Sequence, residues 1–471
     1  MQRVASFDLS PPLAAPLRFF LTAPAFAMAA GLLLAATGTD GLASRWSPTT
    51  LALTHLMTLG FLGMAMLGAL IQILPVVAGV AVAGTARTAR GVHLLLTAGT
   101  IALVAGFLRG ESRLFLAAML MLGAAFTWFV VAAAIGARRG GVAGPTPRGI
   151  RLALAALVVT VALGLALAAA FGGLAVLPAS LAGRDLADLS LSTLAHVHAL
   201  WGLGGWVGLL VIAVAYQVVP MFQVTADYPG AMRRWLPAAL LASIALWTAA
   251  IVCGPALSGA IRAPDAATEG TASDLSTLVT WLSAGAAAIG YALFAAVTLR
   301  LLWGRKRPKL EATTLFWYLG ASALLGCALV WMLGAFRPPL RESAAWPLAL
   351  GILAIVGFAA SVVNGMLYRI VPFLVWYHLQ TAVAGTRNRV PNARDLIGQR
   401  AMLGQFVLQV VAIFLLVAAA LRPEHFARAA GIILLLSQGW LWINLMQAGG
   451  AARNGMRRLR QELHQEMQAH A

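Results

Sequence analysis

Residues 68–75 read Gly-Ala-Leu-Ile-Gln-Ile-Leu-Pro, and the pattern returns at 213–220 as Ala-Val-Ala-Tyr-Gln-Val-Val-Pro and at 365–372 as Gly-Met-Leu-Tyr-Arg-Ile-Val-Pro. Each copy sets a polar residue, Gln72, Gln217 or Arg369, three positions before a proline, with two aliphatic residues between. Pro75, Pro220 and Pro372 are 145 and 152 residues apart. Glycine and proline are common in membrane helices, so one copy would mean little. Three copies in one register define an internal repeat.

The surrounding chain is apolar almost throughout. Of 471 residues 61% are hydrophobic and 10% charged, with a mean hydropathy of +0.86. Soluble domains carry about 25% charged residues, which excludes a water-soluble fold. At roughly 35 to 40 residues for a spanning helix and its connection, the length predicts about twelve spans. Apolar windows place them near 18–37, 48–76, 92–108, 114–136, 152–176, 191–221, 235–257, 275–303, 312–334, 345–378, 401–421 and 429–450. The repeat prolines close the second, sixth and tenth of these. A period of four helices restores the same orientation, so the repeats are parallel, whereas an inverted-repeat transporter needs opposed halves. The expectation is an all-α polytopic membrane protein: one transmembrane bundle over 1–450, built from units of about 1–148, 149–308 and 309–450, with a basic cytoplasmic tail at 451–471.

The net charge of +18 comes almost wholly from arginine. These residues sit in short gaps between apolar runs, where they set topology and meet anionic lipid, so the expected partner is the bilayer and not nucleic acid. Gaps after even spans are basic, as at Arg138, Arg139, Arg148 and Arg151 or at Arg305, Lys306, Arg307 and Lys309. Gaps after odd spans are neutral or acidic, with Asp185 and Asp188 in one and Asp265, Glu269 and Asp274 in another. The positive-inside rule then predicts a multi-pass protein of a bacterial-type cytoplasmic (inner) membrane with both termini cytoplasmic. The first apolar run contains Ala25-Phe26-Ala27, which resembles a signal-peptide cleavage site. The long preceding segment, with Asp8 and Pro11-Pro12 and only Arg3 and Arg18 as basic residues, favours a retained first span. Cys253 and Cys327 lie alone in different runs and read as packing residues.

Eight histidines remain. His464 and His470 fall in the polar tail, His93 and His378 near cytoplasmic ends of spans, and His425 in the last outer loop. His55 precedes Pro75 by 20 residues, while His198 and His196 precede Pro220 by 22 and 24. At about 1.5 Å per residue all three occupy one layer, roughly 30 to 36 Å from the prolines. Two repeat-related helices thus carry imidazoles at one height, as a flat cofactor held between axial ligands requires; packing imidazoles hydrogen-bonded across the bundle are the alternative. Residues two apart on a helix diverge by about 200°, so His196 and His198 do not both face one small site. Gly60, Gly63 and Gly68 follow His55, and Gly202, Gly204, Gly205 and Gly208 follow the pair; they serve close helix packing or a macrocycle laid against backbone.

The run His196-Val-His198-Ala-Leu-Trp-Gly-Leu-Gly-Gly-Trp206, continuing to Tyr216 and Pro220, resembles the His-x-His helix of the catalytic subunit of haem-copper oxidases, particularly the C-type branch and its divergent nitric-oxide-responsive relatives. His55 resembles that family's second-helix histidine. The resemblance implies His55 and His198 on a low-spin haem b, with His196 toward a second haem. In the family the pair lies on the tenth span, here on the sixth, and the three copper-ligating histidines have no counterparts, so copper is not expected. Every Asp and Glu falls in a gap or tail, which leaves no acidic proton pathway. Outward-facing propionates would meet arginines of the outer gaps, Arg45, Arg337, Arg341, Arg422 and Arg428, with Arg337, Arg422 and Arg428 nominated as cofactor-binding and interfacial anchoring as the alternative. Arg369, near the cytoplasmic interface, is expected to snorkel to lipid headgroups.

Two functions follow. One is a haem b-binding inner-membrane protein for electron transfer or for handling O2 or NO, without an intact haem-copper centre or a nominated catalytic residue. No Cys-x-x-Cys-His occurs, so its electrons would come from a quinol or a separate redox protein. The alternative is a haem-free permease or an assembly or structural membrane protein.

Overall fold

In hydrocarbon every backbone N–H and C=O needs a partner within its own segment, and a helix supplies one. The computed structural model describes residues 10–138, 141–174, 190–260, 269–307, 309–382 and 392–469, with backbone alone at 255–260, 269–274, 382 and 451–469. Among these, twelve helices are long and apolar enough to cross a membrane. They are α1 (Ala14–Leu42), α2 (Pro48–Ala78), α3 (Thr85–Arg109), α4 (Ser112–Arg138), α5 (Pro145–Phe171), α6 (Leu191–Gln223), α7 (Gly230–Gly254), α8 (Leu275–Trp303), α9 (Ala312–Phe336), α10 (Ala345–Thr381), α11 (Gln399–Leu421) and α12 (Pro423–Gly450). Several begin before the apolar windows do: α3 starts at Thr85 and α5 at Pro145, both within arginine-bearing sequence. Hydropathy marks the part of a helix that lipid requires, while hydrogen bonding carries the helix past it. For the same reason the helix of α12 runs on to Ala469, through the expected tail.

The three helices that carry the repeat motif, α2, α6 and α10, form the interior. In the most apolar window of α2, α6 and α10, 78%, 56% and 67% of residues are buried, against 50% or less in the other nine. Each inner helix is broken by a π-helical stretch, Leu56–Gly63, Trp201–Gly208 and Leu353–Ala360. All three end twelve residues before the repeat proline, so the recurrence seen in the letters is also a recurrence of backbone conformation. The stretch of α10 touches those of both α2 and α6, at the centre of the bundle. A wider π turn presents carbonyls to side chains on other helices. Tyr291 OH donates to Gly204 O at 2.5 Å, and Gln409 Nε2 donates to Val356 O at 3.3 Å.

The outer helices close on themselves through α1 and α12, whose backbones cross at two glycines. A Cβ on Gly31 would stand 2.5 Å from Leu435 N, and one on Gly431 would stand 2.4 Å from Ala35 N. At the proline-bearing end Arg369 does not reach outward as expected. Its guanidinium meets Glu311 Oε2 at 3.5 Å and lies over the Phe222 ring, 5.2 Å from the centroid, while Arg307 holds Glu311 Oε1 at 3.2 Å. A carboxylate at the start of α9 offers a stronger and closer partner than a headgroup. Arg3, Asp8, Arg139, Asp185, Asp188, Asp265 and His470 lie outside the described residues, as do the side chains of Glu269, Asp274 and His464.

Candidate cofactor site

Local sequence fixes the two key helices. Ser47 and Ser190 cap α2 and α6 by accepting the N–H of Thr50 and Thr193, and Pro48 opens α2, so each capping serine stands eight residues before its histidine. His55 stands one residue before the first π stretch and His198 three before the second. The rings of His55 and His198 come together with centroids 6.4 Å apart and planes 18° from parallel.

Their hydrogen bonds define the available nitrogen. His55 Nδ1 lies 2.7 Å from Leu51 O, and His198 Nδ1 lies 3.0 Å from Thr160 O. A carbonyl only accepts, so each Nδ1 carries the proton and donates it, which leaves the Nε2 of each neutral ring with its lone pair. The rings are not hydrogen-bonded to one another, and no protein group pairs with either Nε2 among the described residues. Phe107 packs against His55 at 5.2 Å, and Gly164 leaves room for His198, whose Cε1 would lie 2.9 Å from a Cβ there.

Both imidazoles line a cavity of about 700 Å³ that extends from the first two units toward α9 and the start of α10. Its walls are largely apolar, and its polar groups are Arg45, the histidines and scattered hydroxyls such as Thr54, Thr58, Thr160, Ser283 and Tyr291. His196 also lines it but faces another direction from His198, meeting Trp46 edge-on at 5.6 Å. Arg45 lies over the Trp46 ring, 4.4 Å from the centroid, and no carboxylate pairs with it among the described residues. Partial burial draws the Arg45 pKa down from its ordinary value, yet arginine remains a cation.

The three nominated arginines are elsewhere. Arg422 lies beside Glu424 at 4.0 Å and is mostly exposed, Arg428 donates to Ala35 O at 3.3 Å, and Arg337 immediately precedes the short helix after α9; none lines the cavity. The connection between α1 and α2 folds over the cavity and those between α9 and α10 and between α11 and α12 do not, so of the outer arginines Arg45 is the one delivered to it. His93 meets Thr22, His378 meets two carbonyls and His425 meets Glu424, all away from the cavity. A scan against protein-family models and a search of curated proteins found no match to this chain.

Proposed function

We propose that the protein is a membrane cytochrome that holds a b-type haem between His55 Nε2 and His198 Nε2 and passes electrons. The observation that carries this reading is the pairing of two neutral imidazoles whose Nδ1–H groups are both anchored to backbone carbonyls. Such anchoring fixes the tautomer and ring orientation that a metal ligand needs. The spacing fits as well. A metal–nitrogen bond of about 2 Å and an imidazole radius of about 1.1 Å, taken on both sides, set the centroids of two axial rings about 6 Å apart. The observed value is 6.4 Å. Two imidazoles bonded to one another would not leave both Nε2 atoms free, and a cavity of about 700 Å³ lies well within the range of about 300–1,000 Å³ typical of cofactor sites.

When bound, the haem would supply a one-electron redox centre. His55 and His198 would together hold the group from two sides, which favours electron transfer over gas binding. Phe107, Leu103, Leu157 and Leu203 keep the cavity apolar, and a low local dielectric penalises the more highly charged oxidation state. Arg45, beside His196 and Trp46, is the cation placed to pair with propionates. In this reading the charge asymmetry of the gaps supports a histidine layer toward the outer side of a bacterial-type inner membrane, where a quinol or a separate redox protein would donate electrons.

The test is optical. The full chain purified after expression with haem available should show a Soret band and resolved alpha and beta bands on reduction. His55→Ala and His198→Ala should each abolish the low-spin spectrum. Bands that persist in both variants contradict the ligand assignment, and a colourless wild-type protein supports a haem-free permease or assembly role instead.

A further inference from the structure

The third unit lacks the histidines of the other two and carries instead a seam of polar side chains in its interior. Ser361, Asn364 and Tyr368 share one face of α10, Gln405 and Gln409 one face of α11, and Ser437, Gln438 and Asn444 lie on α12. Ser361, Asn364, Gln405, Gln409, Ser437 and Gln438 have no solvent exposure at all. Many of them bond to one another: Gln405 Nε2 donates to Ser437 Oγ at 3.1 Å, Ser437 Oγ and Gln438 Nε2 donate to Gln409 Oε1 at 3.1 and 2.9 Å, and Asn444 Nδ2 donates to Tyr368 OH at 3.0 Å. Gln409 Nε2 and Ser361 Oγ both donate to Val356 O, the π-turn carbonyl of a residue that lines the cavity.

The network is incomplete. Asn364 Oδ1 and Nδ2, Gln405 Oε1 and Gln438 Oε1 are buried and have no hydrogen-bond partner among the described residues. Each such group costs about 1–3 kcal/mol if left dry, so four in one seam of a stable bundle imply a partner. Every polar group here is neutral, so an ion would be buried without a countercharge. The unmet groups include acceptors and a donor, and water serves both. Ser361 to Tyr368 and Ser437 to Asn444 each span seven residues, or about 10 Å of helix, enough for a short file of molecules.

We propose that this seam is a buried water site, in which water bridges Asn364, Gln405 and Gln438 and joins the Tyr368 end of α10 to the Val356 carbonyl at the cavity wall. The site stands whether or not iron is bound.

The repeat supplies its own control. Tyr216 and Tyr368 hold the same repeat position and are each 4% exposed, but Tyr216 OH donates to Met232 O at 3.2 Å and borders no such seam. Radiolytic hydroxyl-radical labelling of the full chain in detergent reports water held beside a buried side chain. Tyr368 should label at least about fivefold faster than Tyr216, as expected for a residue touching an ordered internal water. Equal rates would overturn the proposal. In Asn364→Leu the Tyr368 rate should fall toward that of Tyr216, with the Tyr216 rate unchanged as the sign of an intact fold; a folded variant that keeps fast Tyr368 labelling also overturns it. Should Asn364→Leu fail to fold, the wild-type ratio decides alone.

Discussion

The first two units and the third use one backbone device for different ends. In α2 and α6 the turn before the π stretch presents His55 and His198 to a cavity, while α10 has Leu350 and Ile352 at the corresponding positions, 152 residues after His198 and Leu200. The third π stretch instead turns a carbonyl to glutamine and serine from its own unit. A π turn is therefore a neutral scaffold: it opens the helix and frees carbonyls, and the neighbouring side chains decide whether the opening serves a ligand or a polar network. The repeat has kept its geometry and divided its chemistry.

The largest effects should fall on the histidine side of this contrast. His55→Ala and His198→Ala should each lose bound haem, measured as haem per protein after purification, while Ile352→Ala on the third unit should leave that ratio at wild type. A loss in Ile352→Ala as great as in the histidine variants would break the distinction between the units. Next comes the closure of the ring of outer helices. Gly431→Leu places a side chain against the backbone of α1, where the first carbon alone lies 2.4 Å from Ala35 N, and should destabilise the bundle by about 3 kcal/mol or more, seen as a lower midpoint in thermal unfolding followed by tryptophan fluorescence.

A smaller effect is expected from Glu311→Gln, which leaves Arg307 and Arg369 facing one another without the shared carboxylate. With side chains between 21% and 25% exposed, the pairs are neither surface bridges nor fully buried, and the cost should be about 1–2 kcal/mol in the same unfolding measurement. A loss beyond that would mean the proline-bearing end depends on this carboxylate more than the geometry suggests. Smallest is Arg45→Gln. Removing a cation beside the cavity disfavours the electron-rich reduced state, so the haem midpoint potential should fall, by less than about 60 mV, a tenfold change in a one-electron equilibrium. Arg337→Gln, Arg422→Gln and Arg428→Gln should leave it unchanged, and a shift in one of those three would restore the choice made from loop position alone.

Most of the scaffold can be read from the letters because lipid imposes it. Continuous apolar runs must become helices, so the positions of the spans follow from hydropathy, and their ends do not because arginine is a good helix former outside the membrane as well. His55 and His198 stand out as polar groups at one height on repeat-related helices. The π stretches are not legible, since glycines at 60, 63, 202, 204, 205 and 208 serve close packing and a widened turn equally well. The polar seam was missed because single Gln, Asn and Ser residues in apolar runs read as tolerated exceptions. Its signal was the spacing: Gln405 and Gln409 four apart, and Ser361, Asn364 and Tyr368 at three and seven. Nothing in the sequence separates Arg45 from Arg337, Arg422 and Arg428, because which loop covers a cavity is decided by tertiary packing.

The claim that His55 and His198 share one iron is tested most directly by low-temperature electron paramagnetic resonance of the oxidised full chain. Two nearly parallel axial imidazoles, as the 18° angle between the ring planes requires, predict a rhombic low-spin ferric signal that disappears in His55→Ala and in His198→Ala. A high-spin signal in the wild-type protein, or a low-spin signal that survives both substitutions, would contradict it.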